Sequence, residues 1–370
     1  MKTKKTIFKT LGILICGLLV ILIVLMLFLL VYRQVFRTKV LKSSQITTPN
    51  GIDKEYIVPI NGIDQYLYIR GQDTNNPIIL FLHGGPGSPM LPMVYKYQYE
   101  LEKDYTVVNL EQRHAGKTYF LNENNAGEIQ NNLSIATSVQ DIYEVVSFLK
   151  ETFNQDVIIM GHSWGSTLGA LFVSQYPEMV KAYVGIGQNV SINAGERLIA
   201  EETLKLATGK DLETYKALAS DETRYLFNNS NFDGKTFAMH RQISGKYLMK
   251  GLMSDLKFAW IAGLSPYYTL SEIGWYLKDG LTMQRRLLDE LGTMDLRTTH
   301  LNFQVPVIMI MGEKDWVTPY PLAQEYFDML QAPYTKMYYI ENSGHSPMLE
   351  NPEVFCTTIL NALEEITPLI

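Results

Sequence analysis

Short apolar runs alternate with amphipathic helical stretches from about Glu55 to the end of the chain. No other feature limits the fold so strongly. EYIVPI and QYLYIR flank the Asn61-Gly62 turn signal and alternate as half-buried strands do. PIILFL, YTVVNL, DVIIMG, KAYVGIG, VPVIMIMG and TKMYYIE read as further strands, several of them continuous in apolar residues. Continuous runs suit strands covered on both faces. Between them lie DIYEVVSFLKETF, STLGALFVSQYPEMV, PLAQEYFDML and PEVFCTTILNALEEI, which read as helices. The pattern predicts an α/β fold, a mainly parallel sheet with helices on both faces.

Two segments depart from it. From about Ser191 to Leu301 the strand signals stop and several amphipathic helices rich in Tyr, Leu and Met follow. That is too long for a connection within a sheet, so an inserted helical cap is expected. At the other end, Leu11 to Tyr32 carries no charge. As a helix it would reach ~33 Å, enough for a hydrocarbon core of ~30 Å. The run is too long for a signal peptide and lacks small residues at a cleavage site, so an uncleaved transmembrane helix is expected. Lys2, Lys4, Lys5 and Lys9 precede it, and Arg33, Arg37, Lys39 and Lys42 follow, so the positive-inside rule gives a near tie. A short tail before a single span usually stays in the cytosol, which favours an extracytoplasmic catalytic domain. The expected plan is a basic tail (1–10), a transmembrane helix (11–32), a linker (33–51), a first part of the core (52–190), a cap (191–301) and a second part of the core (302–370).

Within the core, Gly161-His162-Ser163-Trp164-Gly165 follows DVIIM and precedes a helical stretch. This is the strand–turn–helix setting of a nucleophile elbow, in which glycines flank a serine on a strained turn. A serine hydroxyl needs a base and an orienting acid. In this kind of fold the chain order is Ser, then Asp or Glu, then His. Asp315 lies in the loop just beyond VPVIMIMG, and is favoured over Glu313, which sits closer to the strand end. His345 follows TKMYYIE in a Ser-Gly-His turn; His240 and His300 lie in or beside the cap. Backbone amides for an oxyanion are expected from Trp164 and from Gly84 or Gly85 in His83-Gly84-Gly85-Pro86-Gly87, after PIILFL.

HGGPG, GHSWGSTL, GEKDWVTP and SGHSP, in this order, resemble the proline iminopeptidase (prolyl aminopeptidase) branch of the α/β-hydrolases. The resemblance covers roughly residues 52 to 365. It implies an α/β-hydrolase fold and aminopeptidase action on small peptides or aminoacyl amides, through an acyl-enzyme and without metal or cofactor. The family's D-Q-R-G-x-G-x-S stretch stands here as Glu111 to Thr118, with His114 in place of a glycine. The family also holds the substrate amine with cap glutamates, for which Glu196, Glu201, Glu202 and Glu272 are the candidates.

Other classes fit less well. A formal net charge of −6 and dispersed basic residues give no case for nucleic acid. Cys16 and Cys356 are the two cysteines, and no disulfide framework can be built from them. There is no G-x-x-x-x-G-K-[ST] for phosphates and no H-E-x-x-H for zinc. Gly185 and Gly187 lack the third glycine of a dinucleotide fingerprint, and Ser163 excludes an Asp nucleophile. Two alternatives stay open. One is an esterase or lipase acting on small acyl esters or lipids. The other is a non-catalytic sensor or binding protein that kept the fold.

Overall fold

The structure, a computed structural model, describes residues 2–113, 115–249, 253–278 and 285–369. The expected strands form an eight-stranded sheet in the order β1-β2-β4-β3-β5-β6-β7-β8. They are β1 (Ile52–Ile60), β2 (Ile63–Gly71), β3 (Ile78–Leu82), β4 (Thr106–Glu111), β5 (Val157–His162), β6 (Ala182–Ile186), β7 (Val307–Gly312) and β8 (Thr335–Ile340). β1 and β2 form a hairpin, and β2 pairs antiparallel with β4; the remaining neighbours are parallel. Asn61 and Gly62 both take positive φ, as a two-residue hairpin turn with the twist of its strands requires.

Alternate residues of a strand point to opposite faces. In β3, Ile78, Leu80 and Leu82 join one apolar cluster, while Ile79 and Phe81 join the other. The first face is covered by α2 (Ile135–Phe153), α3 (Trp164–Gln175) and, further on, Leu322 and Tyr326. The second is covered by the C-terminal helix, through Phe355, Ile359 and Leu363. Each fully buried Leu, Ile or Phe contributes ~1.5–3 kcal/mol, which makes this two-faced core the main stabilising element.

Between β6 and β7 the described residues contain helices and no strand. They include α4 (Ile192–Leu206), α5 (Gly209–Ala219), α6 (Gly234–Leu248), α7 (Asp255–Gly263), α8 (Leu270–Lys278) and α9 (Arg285–Leu291). Tyr215, Leu226 and Ile243 give this cap a small core of its own.

The N-terminal helix α1 spans Lys2–Ser43. From Phe8 it is long and apolar enough to cross a membrane. It does not give way to a flexible linker after Tyr32. Residues 33–43 contain no Gly or Pro, and the cap holds two of their side chains. Arg33 donates to the carbonyls of Gly263 at 2.8 Å and Tyr268 at 2.7 Å, and Arg37 to that of Pro266 at 2.9 Å. The bond to Gly263 caps the C-terminal end of α7, where a cation also suits the helix dipole, and the other two hold the loop that follows.

Candidate active site

β3, β5, β6, β7 and β8 are parallel, so their C-terminal ends share one edge. Ligand sites in such sheets lie beyond that edge. Ser163 stands in the tight turn between β5 and α3 with φ 56° and ψ −119°. The other described non-glycine residues with positive φ are all Asn, which tolerates that region. A serine there stores on the order of 1–3 kcal/mol of strain. The flanking glycines allow the turn. A Cβ on Gly161 would lie 2.2 Å from Gly165 O, and one on Gly165 would lie 2.0 Å from Leu82 O. The turn is pinned by the Ser163 amide, which donates to Ile186 O at 2.9 Å.

Asp315 follows β7 and is fully buried. Its Oδ1 accepts from the amides of Val317 at 2.9 Å and Thr318 at 3.1 Å. Its Oδ2 accepts from His345 Nδ1 at 2.9 Å. Burial works to raise the Asp315 carboxyl, but the attraction and hydrogen bond of His345 and the donors of Thr318 outweigh it and hold it low. Glu313 instead lies at the surface and accepts from the Asn342 amide at 3.0 Å. With Nδ1–H spent on Asp315, Nε2 is the His345 ring nitrogen left to act as a base.

These residues converge. A Cβ on Gly187, next to Ile186, would lie 3.2 Å from His345 Nδ1 and 3.3 Å from Asp315 Oδ2. His162, beside Ser163, donates from Nε2 to His345 O at 2.7 Å, and the two rings lie 4.8 Å apart. Burial, then the charge on His345, pushes the His162 pKa down to about 3, so it is a neutral strut. No hydrogen bond joins Ser163 Oγ to His345 Nε2; such links often tighten only with substrate bound.

The HGGPG loop lies against the elbow: a Cβ on Gly84 would be 3.0 Å from Ser163 Cβ. Gly85 needs its φ of +114°, where any Cβ would also press on the Gly87 and Ser88 amides. Among the described residues, the amides of Gly85 and Trp164 donate to no protein acceptor, whereas Gly84 is joined to Ser88 by an antiparallel bridge across the loop. Gln112, inside the Glu111–Thr118 stretch but given no role from the sequence, ties both sides together. Its Nε2 donates to His83 O at 2.8 Å, and its Oε1 accepts from Trp164 Nε1 at 2.9 Å. His83 donates from Nδ1 to Gly84 O at 3.0 Å and accepts the Gln112 amide on Nε2 at 3.1 Å. Glu350 lies in no motif singled out from the sequence. Its Oε2 accepts from the amides of Gly344 at 2.7 Å and Ser346 at 3.3 Å, on either side of His345.

The candidate cap glutamates are dispersed. Glu196 is fully buried, with Oε2 accepting from His240 Nε2 at 2.9 Å and Oε1 paired to Arg241. Arg241 in turn donates to the carbonyls of Trp316 and Val317, both at 3.3 Å, so this pair braces the Asp315 loop. Glu201 and Glu202 both pair with Lys205, at 3.1 and 2.7 Å. Glu272 caps α8 by accepting from the Thr269 amide. His114 lies outside the described residues.

A different carboxylate is unusual. Glu111 ends β4 beside Gln112 and is buried. Oε1 accepts from Tyr268 Oη at 2.5 Å, and Oε2 accepts from the Lys117 amide. Burial raises its carboxyl to about 7 despite these donors. The other buried carboxylates all have cationic or histidine partners: Glu102 with Arg70, Asp141 with Arg113, Glu196 with Arg241, Asp315 with His345. Glu111 forms no salt bridge among the described residues.

Comparison with known proteins accords with this layout. The chain is 29% identical over 306 residues to a probable aminopeptidase, YbaC, of Bacillus subtilis (strain 168), covering 81% of this chain and 93% of that one. It is 24% identical over 289 residues to a proline iminopeptidase of Heyndrickxia coagulans, covering 78% and 91%. The crystal structure of a proline iminopeptidase from Mycobacterium smegmatis superposes with a TM-score of 0.60 at 19% identity, covering 84% of this chain and 98% of that one. Residues 77–352 match the family described as the alpha/beta hydrolase fold, and the chain belongs to that family.

Proposed function

We propose that the protein is a membrane-anchored serine hydrolase that removes N-terminal residues from small peptides or aminoacyl amides through an acyl-enzyme. The observation that carries this reading is the Asp315–His345 pair set beside a serine strained onto a glycine-flanked elbow. His345 Nε2 takes the proton of Ser163 Oγ as that oxygen attacks the substrate carbonyl. The developing oxyanion is met by the amides of Trp164 and of Gly84 or Gly85. His345 then passes the proton to the leaving amine. A water, deprotonated by the same ring, releases the acyl group. No metal or cofactor is needed for any of these steps.

The free amine of the substrate calls for an anionic partner. Glu111 suits it best, because it is buried, lacks a salt bridge and adjoins Gln112, which holds the HGGPG loop. The relatives named aminopeptidase and proline iminopeptidase support an amine-bearing substrate. α1 would anchor the enzyme, with the short basic tail in the cytosol and the catalytic domain outside. A second reading, an esterase or lipase on acyl esters, is favoured by the apolar groove between α1 and the cap, lined by Leu25, Met26 and Trp260. Hydrolysis of a prolyl amide beside its N-acetylated twin decides between them. Losing a desolvated ion pair should cost the acetylated substrate at least ~100-fold in kcat/KM. Equal rates, or faster cleavage of simple esters, would overturn the aminopeptidase reading.

A further inference from the structure

Helix α7 and the start of α8 present large apolar side chains away from the protein. Leu256 is 84% exposed, and Trp260 and Leu270 are each 50% exposed. Such a cluster is unusual on a surface facing water only, and marks an interaction site. Its position says what covers it. Trp260 stacks on Tyr32, with ring centroids 6.1 Å apart. A groove between α1 and the cap, of about 320 Å³, is walled on one side by Leu25, Met26 and Leu29 and on the other by Trp260, Leu264 and Leu270.

The two sides of that groove lie at one depth. Tyr32 is the last residue of the charge-free run, and at ~1.5 Å of rise per residue Leu25 sits ~10 Å further in. A helix inserted as far as Tyr32 therefore carries the facing wall of the cap into the leaflet with it. The cap is not free to swing clear, because Arg33 and Arg37 fasten the carbonyls of 263, 266 and 268 to the base of the span. A water-soluble partner would have to share this face with the apolar run itself. A tryptophan at the level where the run meets its first arginine suits the membrane–water boundary.

We propose that the face formed by Leu256, Trp260 and Leu270 is a second membrane contact, embedded in the leaflet that α1 enters, so that the catalytic domain lies on the bilayer rather than hanging from a tether. The proposal rests on reading α1 as the membrane anchor, and the test separates the two. The full chain is reconstituted into phosphatidylcholine vesicles and labelled with a nitroxide, one site at a time. Native Cys16 reports α1. Cys356 is buried, its thiol pushed up to about 12 by that burial, and stays unlabelled. Leu256→Cys, Leu270→Cys and Lys205→Cys, each combined with Cys16→Ser, report the cap face and an exposed reference. Each variant is first checked for unchanged reactivity toward a fluorophosphonate. Labels at 16, 256 and 270 should relax with oxygen in preference to a water-soluble nickel complex, and the label at 205 should show the reverse. If 16 favours oxygen while either 256 or 270 behaves like 205, the second contact is wrong and the anchor stands. If 16 itself behaves like 205, the anchor reading falls and takes the second contact with it.

Discussion

His345 Nδ1 donates to Asp315 Oδ2 over 2.9 Å, and the other oxygen of that carboxylate is held by two backbone amides of its own loop. The carboxylate is thus held independently of His345, and the ring has one tautomer to adopt. Asp315→Asn would keep the shape and reverse the hydrogen bond, leaving the proton on Nε2. Turnover should fall ~10³–10⁴-fold with the thermal midpoint little changed, as steady-state kinetics and a melting curve would check.

Asp315 also gives its loop a pH dependence. Its folded carboxyl is held below the unfolded value, so it contributes stability above the unfolded pKa of ~3.9 and loses it as pH falls through the folded one. Glu111 has the opposite sign. Its carboxyl is raised to about 7, so the protonated form favours folding, and that contribution disappears as pH rises from the ordinary Glu range through about 7. Glu111→Gln should therefore flatten the loss of stability between pH 5 and 8 by about 3 kcal/mol, measured in detergent. In the wild type, KM for a free aminoacyl amide should climb as pH falls through about 7, while KM for its acetylated twin should not.

Glu196 tests a different point. Both its oxygens are engaged inside the cap, so its expected part is to brace the Asp315 loop through Arg241. Glu196→Ala leaves that arginine without its carboxylate and should cost about 3 kcal/mol in stability. Free and acetylated substrates should suffer equally. A loss confined to the free amine would return Glu196 to the role of ammonium partner.

The strands, and the turns that carry the three residues proposed as a triad, were legible because each sits in a pattern the fold imposes locally. Buried parallel strands cannot avoid apolar runs, and Ser163, Asp315 and His345 each lie in the turn or loop that follows one of them. Glu196, Glu201 and Glu202 look alike in sequence, as three acidic residues on one helical stretch. Burial separates them, since one turns into the cap and two meet Lys205. Gln112 and Glu350 act through partners distant in the chain or on backbone amides, and no spacing announces that. Arg33 and Arg37 read as the end of the span. Their guanidinium groups find carbonyls more than two hundred residues away, which keeps the helix going to Ser43.

Glycine spacing in the elbow gives a steric prediction. A Cβ at 165 would press into Leu82 O, and no neighbour is a flexible side-chain end. Gly165→Ala should destabilise by about 3 kcal/mol and abolish activity. Gly127, in a short surface helix with open space around it, is the control: Gly127→Ala should be neutral or stabilising by ~0.5–1 kcal/mol.

If Ser163 is the nucleophile, a fluorophosphonate probe should capture it. The full chain in detergent is treated with the probe and digested, and the adduct is located by mass spectrometry. We expect one modified peptide, carrying the phosphonyl group on Ser163, and no labelling of Ser163→Ala at equal fold content. An adduct on another residue, or labelling that persists in Ser163→Ala, would mean that Ser163 is not the nucleophile.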